Sequence, residues 1–288
     1  MCLAWRFTSI ESHMSQFIPD LLKGRHAFIA GGTSGINLAI AEAMIDAGAT
    51  VAVMSRKQDK VDAARSALAQ RAGAGRAYAY AADVRDYGAV EAAMKDFHEK
   101  AGPFDIVVSG AAGNFLAPAN ALSSNGFRTV LEIDLLGSFH VFRAAYSCLR
   151  KPGASLISLS APQSTEATFG QAHVAAAKAG VDMLTRSLAV EWGPEGIRAN
   201  CIVPGPIEDT EGMARLAPTP AVRRAIERSI PLRRYGLKQE VASMALFLGS
   251  EAASYVTGSV MYCDGGQTLA IGGAMSPASV QDMFKQGI

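Results

Sequence analysis

Apolar residues in this chain fall into short unbroken runs, separated by longer stretches whose apolar positions recur with helical spacing. Phe28 to Ala30, Thr50 to Ser55, Arg76 to Val84, Phe104 to Ser109, Ser155 to Ser160, Ile197 to Val203 and Gly258 to Cys263 read as strands. Short continuous apolar runs of this kind are what strands buried on both faces show. Between them, helical patterns follow Gly35 and run over 59–70, 87–101, 127–149, 172–190 and 239–249. Strand and helix alternate, with glycines after the strands. That order predicts an α/β fold: a single Rossmann-like, doubly wound parallel sheet with helices on both faces. No internal repeat, low-complexity segment or linker interrupts it. One domain is therefore expected over residues 22–269, between an N-terminal tail 1–21, in which Met14 offers an alternative start, and a C-terminal tail 270–288.

The first strand runs into Gly31-Gly32-Thr33-Ser34-Gly35-Ile36-Asn37, and an alanine-rich helix begins at once. A glycine-rich turn here lets backbone approach a ligand and aims free N–H groups from the positive end of a helix, where a pyrophosphate can sit. An ordinary strand–helix corner is the blander account.

Composition narrows the partners. A chain of 288 residues, 49% hydrophobic and 18% charged, can bury a large core. Lys+Arg 27 against Asp+Glu 26 gives a net charge of +1, so no global field draws it to nucleic acid or an anionic membrane. Any anion must be met by local groups. Cys2, Cys148, Cys201 and Cys263 lie far apart, without zinc or redox spacing, which suits a reducing cytosol. No apolar run approaches the roughly 20 residues that cross a bilayer, and the N-terminus lacks a signal-peptide pattern.

The Gly-x-x-x-Gly-Ile-x spacing of the first turn resembles the nucleotide loop of the short-chain dehydrogenase/reductase family, with Asn37 where the last glycine is expected. The resemblance implies a nicotinamide cofactor held by Gly31, Thr33, Ser34, Gly35 and Ile36. It places Asp83 and Val84 at the adenine, and Ala111 and Gly113 in the wall of the cofactor cleft. Pro204, Gly205 and Ile207 would face the nicotinamide. After the second strand, where NAD-selecting relatives carry an acid for the ribose hydroxyl, this chain has Arg56 and Lys57. Two cations suit a 2′-phosphate, so NADP(H) is the expected cofactor; the alternative is two solvated residues opening a helix.

The family's usual proton-handling set is a serine and a Tyr-x-x-x-Lys pair. The lysine is present as Lys178, but Val174 stands at the tyrosine position and Ala161 at the serine position. Carbonyl reduction needs a proton delivered to oxygen. Hydride addition to a conjugated thioester gives an enolate, which needs hydrogen-bond donors and can be protonated on carbon through a bound water. Two accounts stay open: a reductase that dispenses with the tyrosine, and a silent NADP(H)-binding regulator.

Ala111-Ala112-Gly113-Asn114-Phe115, Asp134, the absent tyrosine, His173 and Ala189-Val190-Glu191-Trp192-Gly193-Pro194 together resemble the peroxisomal-type 2,4-dienoyl-CoA reductases, over roughly Lys23 to Leu269. That resemblance implies an acyl-CoA substrate, a role beside β-oxidation of unsaturated fatty acids, and a homotetramer. Lys178 would hold the nicotinamide ribose and position a water, Asp134 and Asp264 would be the other polar groups near it, and Asn114 would donate to the thioester oxygen. Two of them have a plainer account: Asp134 as a polar helix edge, Asp264 as a turn former before Gly265-Gly266. His173, one residue out of phase on its helix and so about 100° away, is expected behind the site. Residues 208–234, with Pro218, Pro220 and Arg215, Arg223, Arg224, Arg228, Arg233 and Arg234, are the expected substrate lid; their cations suit coenzyme A phosphates or a solvated face. The chain ends Gln286-Gly287-Ile288, unlike a Ser-Lys-Leu peroxisomal address, and a cytoplasmic location is expected.

Overall fold

A computed structural model describes residues 17, 18 and 20–270, so the two expected tails, with Met14 and the C-terminal tripeptide, lie almost wholly outside the described residues. The chain runs β1 (His26–Ala30), α1 (Gly35–Asp46), β2 (Thr50–Ser55), α2 (Gln58–Ala72), β3 (Ala77–Ala81), α3 (Tyr87–Ala101) and β4 (Ile106–Ser109). It continues through α4 (Ser124–Leu131), α5 (Gly137–Ala145), β5 (Ser155–Leu159), α6 (Ala172–Trp192), β6 (Arg198–Pro204), α7 (Glu211–Leu216), α8 (Pro220–Ser229), α9 (Lys238–Gly249) and β7 (Val260–Cys263). The seven strands form one sheet in the order β3-β2-β1-β4-β5-β6-β7, every neighbouring pair parallel. This is the expected doubly wound fold. The chain moves outward from β1 to β3, then returns to the other side of β1 as β4. That reversal opens a crevice at the carboxyl ends of β1 and β4, where such sheets bind ligands.

Side-chain alternation along each strand fills two cores. Ala27 and Ile29 of β1 join Val53, Ile40, Met44 and Leu248 on the face covered by α1 and α9. Phe28 and Ala30 join Met54, Val107, Phe97 and Val141 on the face covered by α3 and α5. There Phe28, Phe97 and Phe104 stack with ring centroids 5.3 to 6.2 Å apart. Both faces being covered, the central strands read as continuous apolar runs.

Two expectations change. The single helix expected over 127–149 starts earlier, at Ser124, behind a Ser123 cap that accepts from Gly126 N at 3.0 Å, and it is broken by a π-helical turn at Glu132–Leu136. In that turn the Gly137 N–H reaches Glu132 O, five residues back. The lid region, read from sequence only as polar, holds α7 and α8, each capped by a threonine: Thr210 accepts from Met213 N and Thr219 from Val222 N.

Candidate active site

A cleft of about 550 Å³ opens at the carboxyl ends of the central strands. Among the residues expected at a site, it is lined by Gly35, Ile36, Gly113, Asn114, Asp134, Lys178, Pro204, Gly205 and Ile207. Gly31, Thr33, Ser34, Arg56, Lys57, Asp83, Val84, Ala111 and Asp264 are not part of that lining.

The first turn of α1 forms one end of the cleft. No side chain caps its N-terminus and no acidic residue sits in its first turn, so its leading N–H groups and the positive helix end face the cleft through Gly35 and Ile36. This suits an anionic phosphate. Gly31, at φ +78°, lies so close to the loop after β4 that a Cβ would meet Ala111 N at 2.7 Å. Only glycine lets the two loops approach in this way. A dinucleotide therefore fits what the backbone provides.

The outer cofactor residues sit further off. Arg56 is exposed, its guanidinium 4.0 Å from Asp83. The Arg85 guanidinium, bonded to Asp83 at 2.6 Å, holds that carboxyl below its ordinary range, with Arg56 a smaller cause and burial opposing both. Val84 is buried, and its carbonyl lies 2.9 Å from His140 Nδ1.

Deepest in the cleft lining sits the ion pair Asp134–Lys178. Both side chains are at least nine-tenths buried, yet both line the cleft. Asp134 sits in the π-helical turn. Its Oδ1 accepts from Gly113 N at 2.7 Å, and Oδ2 lies 3.1 Å from Lys178 Nζ, off the line of a hydrogen bond, so that oxygen carries an ion pair but no hydrogen bond. Lys178 Nζ donates to Leu159 O at 2.9 Å, which ties it to the end of β5. A buried charge is tolerated only when paired, and here the pair is supported from three elements. The Asp134 carbonyl accepts from Ser138 Oγ at 2.6 Å, and Ser138 in turn accepts from Ser109 Oγ of β4 at 3.0 Å. π-Helical turns recur at functional positions, and this one carries the acid. The alternative of a polar helix edge does not describe a residue 1% exposed.

Asn114 lines the same cleft. Its side-chain Oδ1 accepts from Gln171 Nε2 at 2.8 Å, and Gln171, fully buried, accepts from Gln163 Nε2 at 2.8 Å. This chain of amides orients Asn114, whose own N–H₂ group donates to no partner among the described residues. Gln171 and Gln163 escaped sequence reasoning; the only signal was a glutamine just before α6, without periodicity to mark it.

Val174 is buried in the cleft wall at the place where the family carries tyrosine, and offers no proton. Ala161, at the serine position, also lines the wall. Its neighbour Ser160 presents a buried Oγ with no hydrogen-bond partner among the described residues. That hydroxyl, one residue before the expected position, was missed for the same reason. Glu166 completes the polar lining; burial raises its carboxyl above the ordinary range, and the charge of Asp264 adds to the effect.

Asp264 answers to its turn. Burial pushes its carboxyl up, but bonds from Thr268 N, Thr268 Oγ1 and Gly266 N (2.8, 2.7 and 2.8 Å) outweigh that and hold it below its usual range. Among the described residues, no hydrogen bond or ion pair joins it to Asp134 or Lys178. Its backbone instead packs against Gly205, where a Cβ would meet Asp264 Cα at 2.5 Å. His173 is fully buried against Phe115, ring centroids 4.4 Å apart, and is absent from the cleft lining.

The lid arginines are largely committed. Arg215 donates to Asn114 O at 3.2 Å and to Glu211 at 3.2 Å; Arg223 pairs with Glu208 and lies 4.7 Å over the Tyr235 ring; Arg234 pairs with Glu240.

A family model described as enoyl-(acyl carrier protein) reductase matches residues 30–268. The peroxisomal 2,4-dienoyl-CoA reductase of Danio rerio is 43% identical over 254 residues, covering 88% of this chain and 84% of that protein. The enzyme of the same name from Saccharomyces cerevisiae is 43% identical over 250 residues, 86% of this chain and 85% of that one. Among solved structures, a gluconate 5-dehydrogenase from Burkholderia cenocepacia, in complex with NADP and tartrate, aligns with a TM-score of 0.81 at 30% identity, covering 87% of this chain and 97% of that one. No helix among the described residues is long and apolar enough to cross a membrane. With its parallel sheet, glycine-built nucleotide end and buried Asp134–Lys178 centre, the chain belongs to the short-chain dehydrogenase/reductase family and is an oxidoreductase.

Proposed function

We propose that this protein is an NADPH-dependent reductase of 2,4-dienoyl-CoA thioesters. The observation that carries the reading is the buried Asp134–Lys178 pair in a cleft whose tyrosine position is filled by Val174. Such a centre lacks the acid a carbonyl reductase uses, but keeps the parts needed to stabilise an enolate and hold a water. The relatives named as (3E)-enoyl-CoA-producing reductases of dienoyl-CoA agree with it.

Gly35 and Ile36 at the start of α1 would hold the pyrophosphate, Arg56 and Lys57 the 2′-phosphate, and Lys178 the nicotinamide ribose. When bound, the reduced nicotinamide supplies a hydride to the distal carbon of the diene. The diene electrons then shift toward the thioester, leaving a double bond between the β and γ carbons and negative charge spread over the α-carbon and the oxygen. Asn114, its amide fixed by Gln171, donates to that oxygen. Lys178 Nζ and the Oδ2 of Asp134 that lacks a hydrogen bond offer a donor and an acceptor side by side, a place for the water that protonates the α-carbon. Asp264 acts at one remove, by fixing the turn against Gly205. Arg224 and Arg228, exposed on α8, are the lid cations proposed for coenzyme A phosphates.

The exposed apolar face over α4, α5 and α6, with a cavity of about 900 Å³ lined by Leu131, Leu135, Leu136 and Phe139, is the proposed contact of a homotetramer. Light scattering after size exclusion should give four chains. NADPH oxidation at 340 nm with a trans-2,4-dienoyl-CoA, beside a 3-oxoacyl-CoA control, tests the reaction. Turnover of the dienoyl substrate alone is expected. Tight NADPH binding without turnover of either would instead favour the silent regulator.

A further inference from the structure

Asn37 stands where the family's nucleotide loop has glycine, and its side chain makes a connection that glycine cannot. Its Nδ2 donates to Gly110 O at 2.7 Å and lies 3.4 Å from Gly31 O. Gly110 follows β4 and Gly31 follows β1, so one amide bridges the two loops that flank the mouth of the cleft. Its fit is tight: a Cβ on Gly110 would come within 2.3 Å of Asn37 Oδ1. The bridge is made at a cost, because Oδ1 is buried without a hydrogen-bond partner among the described residues, and such orphaned acceptors are destabilising.

The bridged loop carries the substrate-side chemistry. Three residues after Gly110, the Gly113 N–H donates to Asp134 Oδ1, and Asn114 follows with the amide set by Gln171. Cofactor end and substrate end are thus in mechanical contact through a single side chain. We propose that Asn37 is a positioning residue: it latches the pyrophosphate-binding turn to the 110–114 loop, so that NADPH affinity and acyl-CoA affinity depend on it together. The cofactor half stands on the loop geometry alone; the acyl-CoA half rests on the proposed dienoyl-CoA reaction.

Asn37→Leu and Asn37→Gly test the latch. Leucine keeps the bulk but leaves the Gly110 carbonyl buried without its donor; glycine opens the position to water. NADPH Kd, measured by nucleotide fluorescence on the unliganded protein, should rise about tenfold for the leucine variant and about threefold for glycine, as expected for a lost hydrogen bond with and without solvent compensation. The dienoyl-CoA KM should rise in the same order, while the melting temperature moves by no more than a few degrees. An unchanged NADPH Kd in both variants would overturn the proposal and make Asn37 a tolerated replacement. A raised Kd with an unchanged acyl-CoA KM would overturn the coupling. A parallel fall in melting temperature and kcat, with unchanged Kd and KM, would make the role purely structural. A parent protein that binds NADPH but does not turn over dienoyl-CoA defeats the proposed reaction and leaves the NADPH titration to decide the latch.

Discussion

The cleft and its lid use the same chemistry, carboxylates against basic side chains, in opposite settings. Asp134 and Lys178 are almost completely buried and braced by Gly113, Leu159 and Ser138. Lys60–Glu211, which joins α2 to α7 at 3.5 Å, and Arg215–Glu211, within α7 at 3.2 Å, are exposed on both sides. In water, long side chains lose in entropy what they gain in attraction, and such pairs contribute little. In the interior, the pair has been taken out of water and each partner depends on the other. The first arrangement fixes atoms; the second adds little restraint to the segment that carries it.

The largest effects should therefore come from splitting the buried pair. Lys178→Ala is expected to cut dienoyl-CoA turnover by about a hundredfold or more, the scale of losing a charge-stabilising donor. Asp134→Ala should in addition lower unfolding free energy by about 3–5 kcal/mol, because it strands the ammonium. The double variant Asp134→Leu/Lys178→Met separates the roles: denaturant unfolding should recover most of the stability, while turnover stays lost. Recovery of turnover would show that the pair is structural only.

Gln171→Leu comes next. It leaves Asn114 without its orienting donor, and kcat/KM for the dienoyl substrate should fall about tenfold with NADPH binding intact. A smaller change is expected in the pH dependence of stability. Asp264 has its carboxyl lowered on folding, so its contribution is fully present above the unfolded carboxylate value, about 3.9, and is lost as pH falls through the lower folded value. Asp264→Asn should flatten that acid limb in thermal melts recorded from pH 6 downward. Least of all, Glu211→Gln should move stability by no more than about 0.5 kcal/mol and vanish at high salt. A larger shift would mean that the lid latch carries more than its exposure suggests.

How much of this was legible in the sequence follows from the same contrast. The strands were, because burial on both faces leaves short apolar runs set between glycines and polar turns; so was the place of Lys178 in the cleft, through the lysine of the family's Tyr-x-x-x-Lys spacing. The π-helical turn was not, since Leu131-Glu132-Ile133-Asp134-Leu135-Leu136 has the composition of any helix and the extra residue shows only in the hydrogen bonds. Gln171 meets Asn114 from 57 residues away in the chain, a distance over which local pattern says nothing, and Gln163 meets Gln171. For α7 and α8 the signal was present but unused: Thr210 and Thr219 are N-cap residues ahead of charged helical turns, the second followed by Pro220 at the first helical position. Asp264 illustrates the reverse case, a residue whose family role drew attention while its plainer one, a carboxylate closing its own turn, accounts for all three of its bonds.

The extra residue at Glu132–Leu136 has a consequence for how such a protein can change. An α-helix advances about 100° per residue, so an inserted residue resets the bearing of everything beyond it. Upstream, α4 is phased to lie on α6; downstream, α5 is phased to lie on α3 and fill the core. The turn works as a clutch between two drive shafts. Mutations that re-aim α4 need not be transmitted to the core, and Asp134 sits at the slip point between the two.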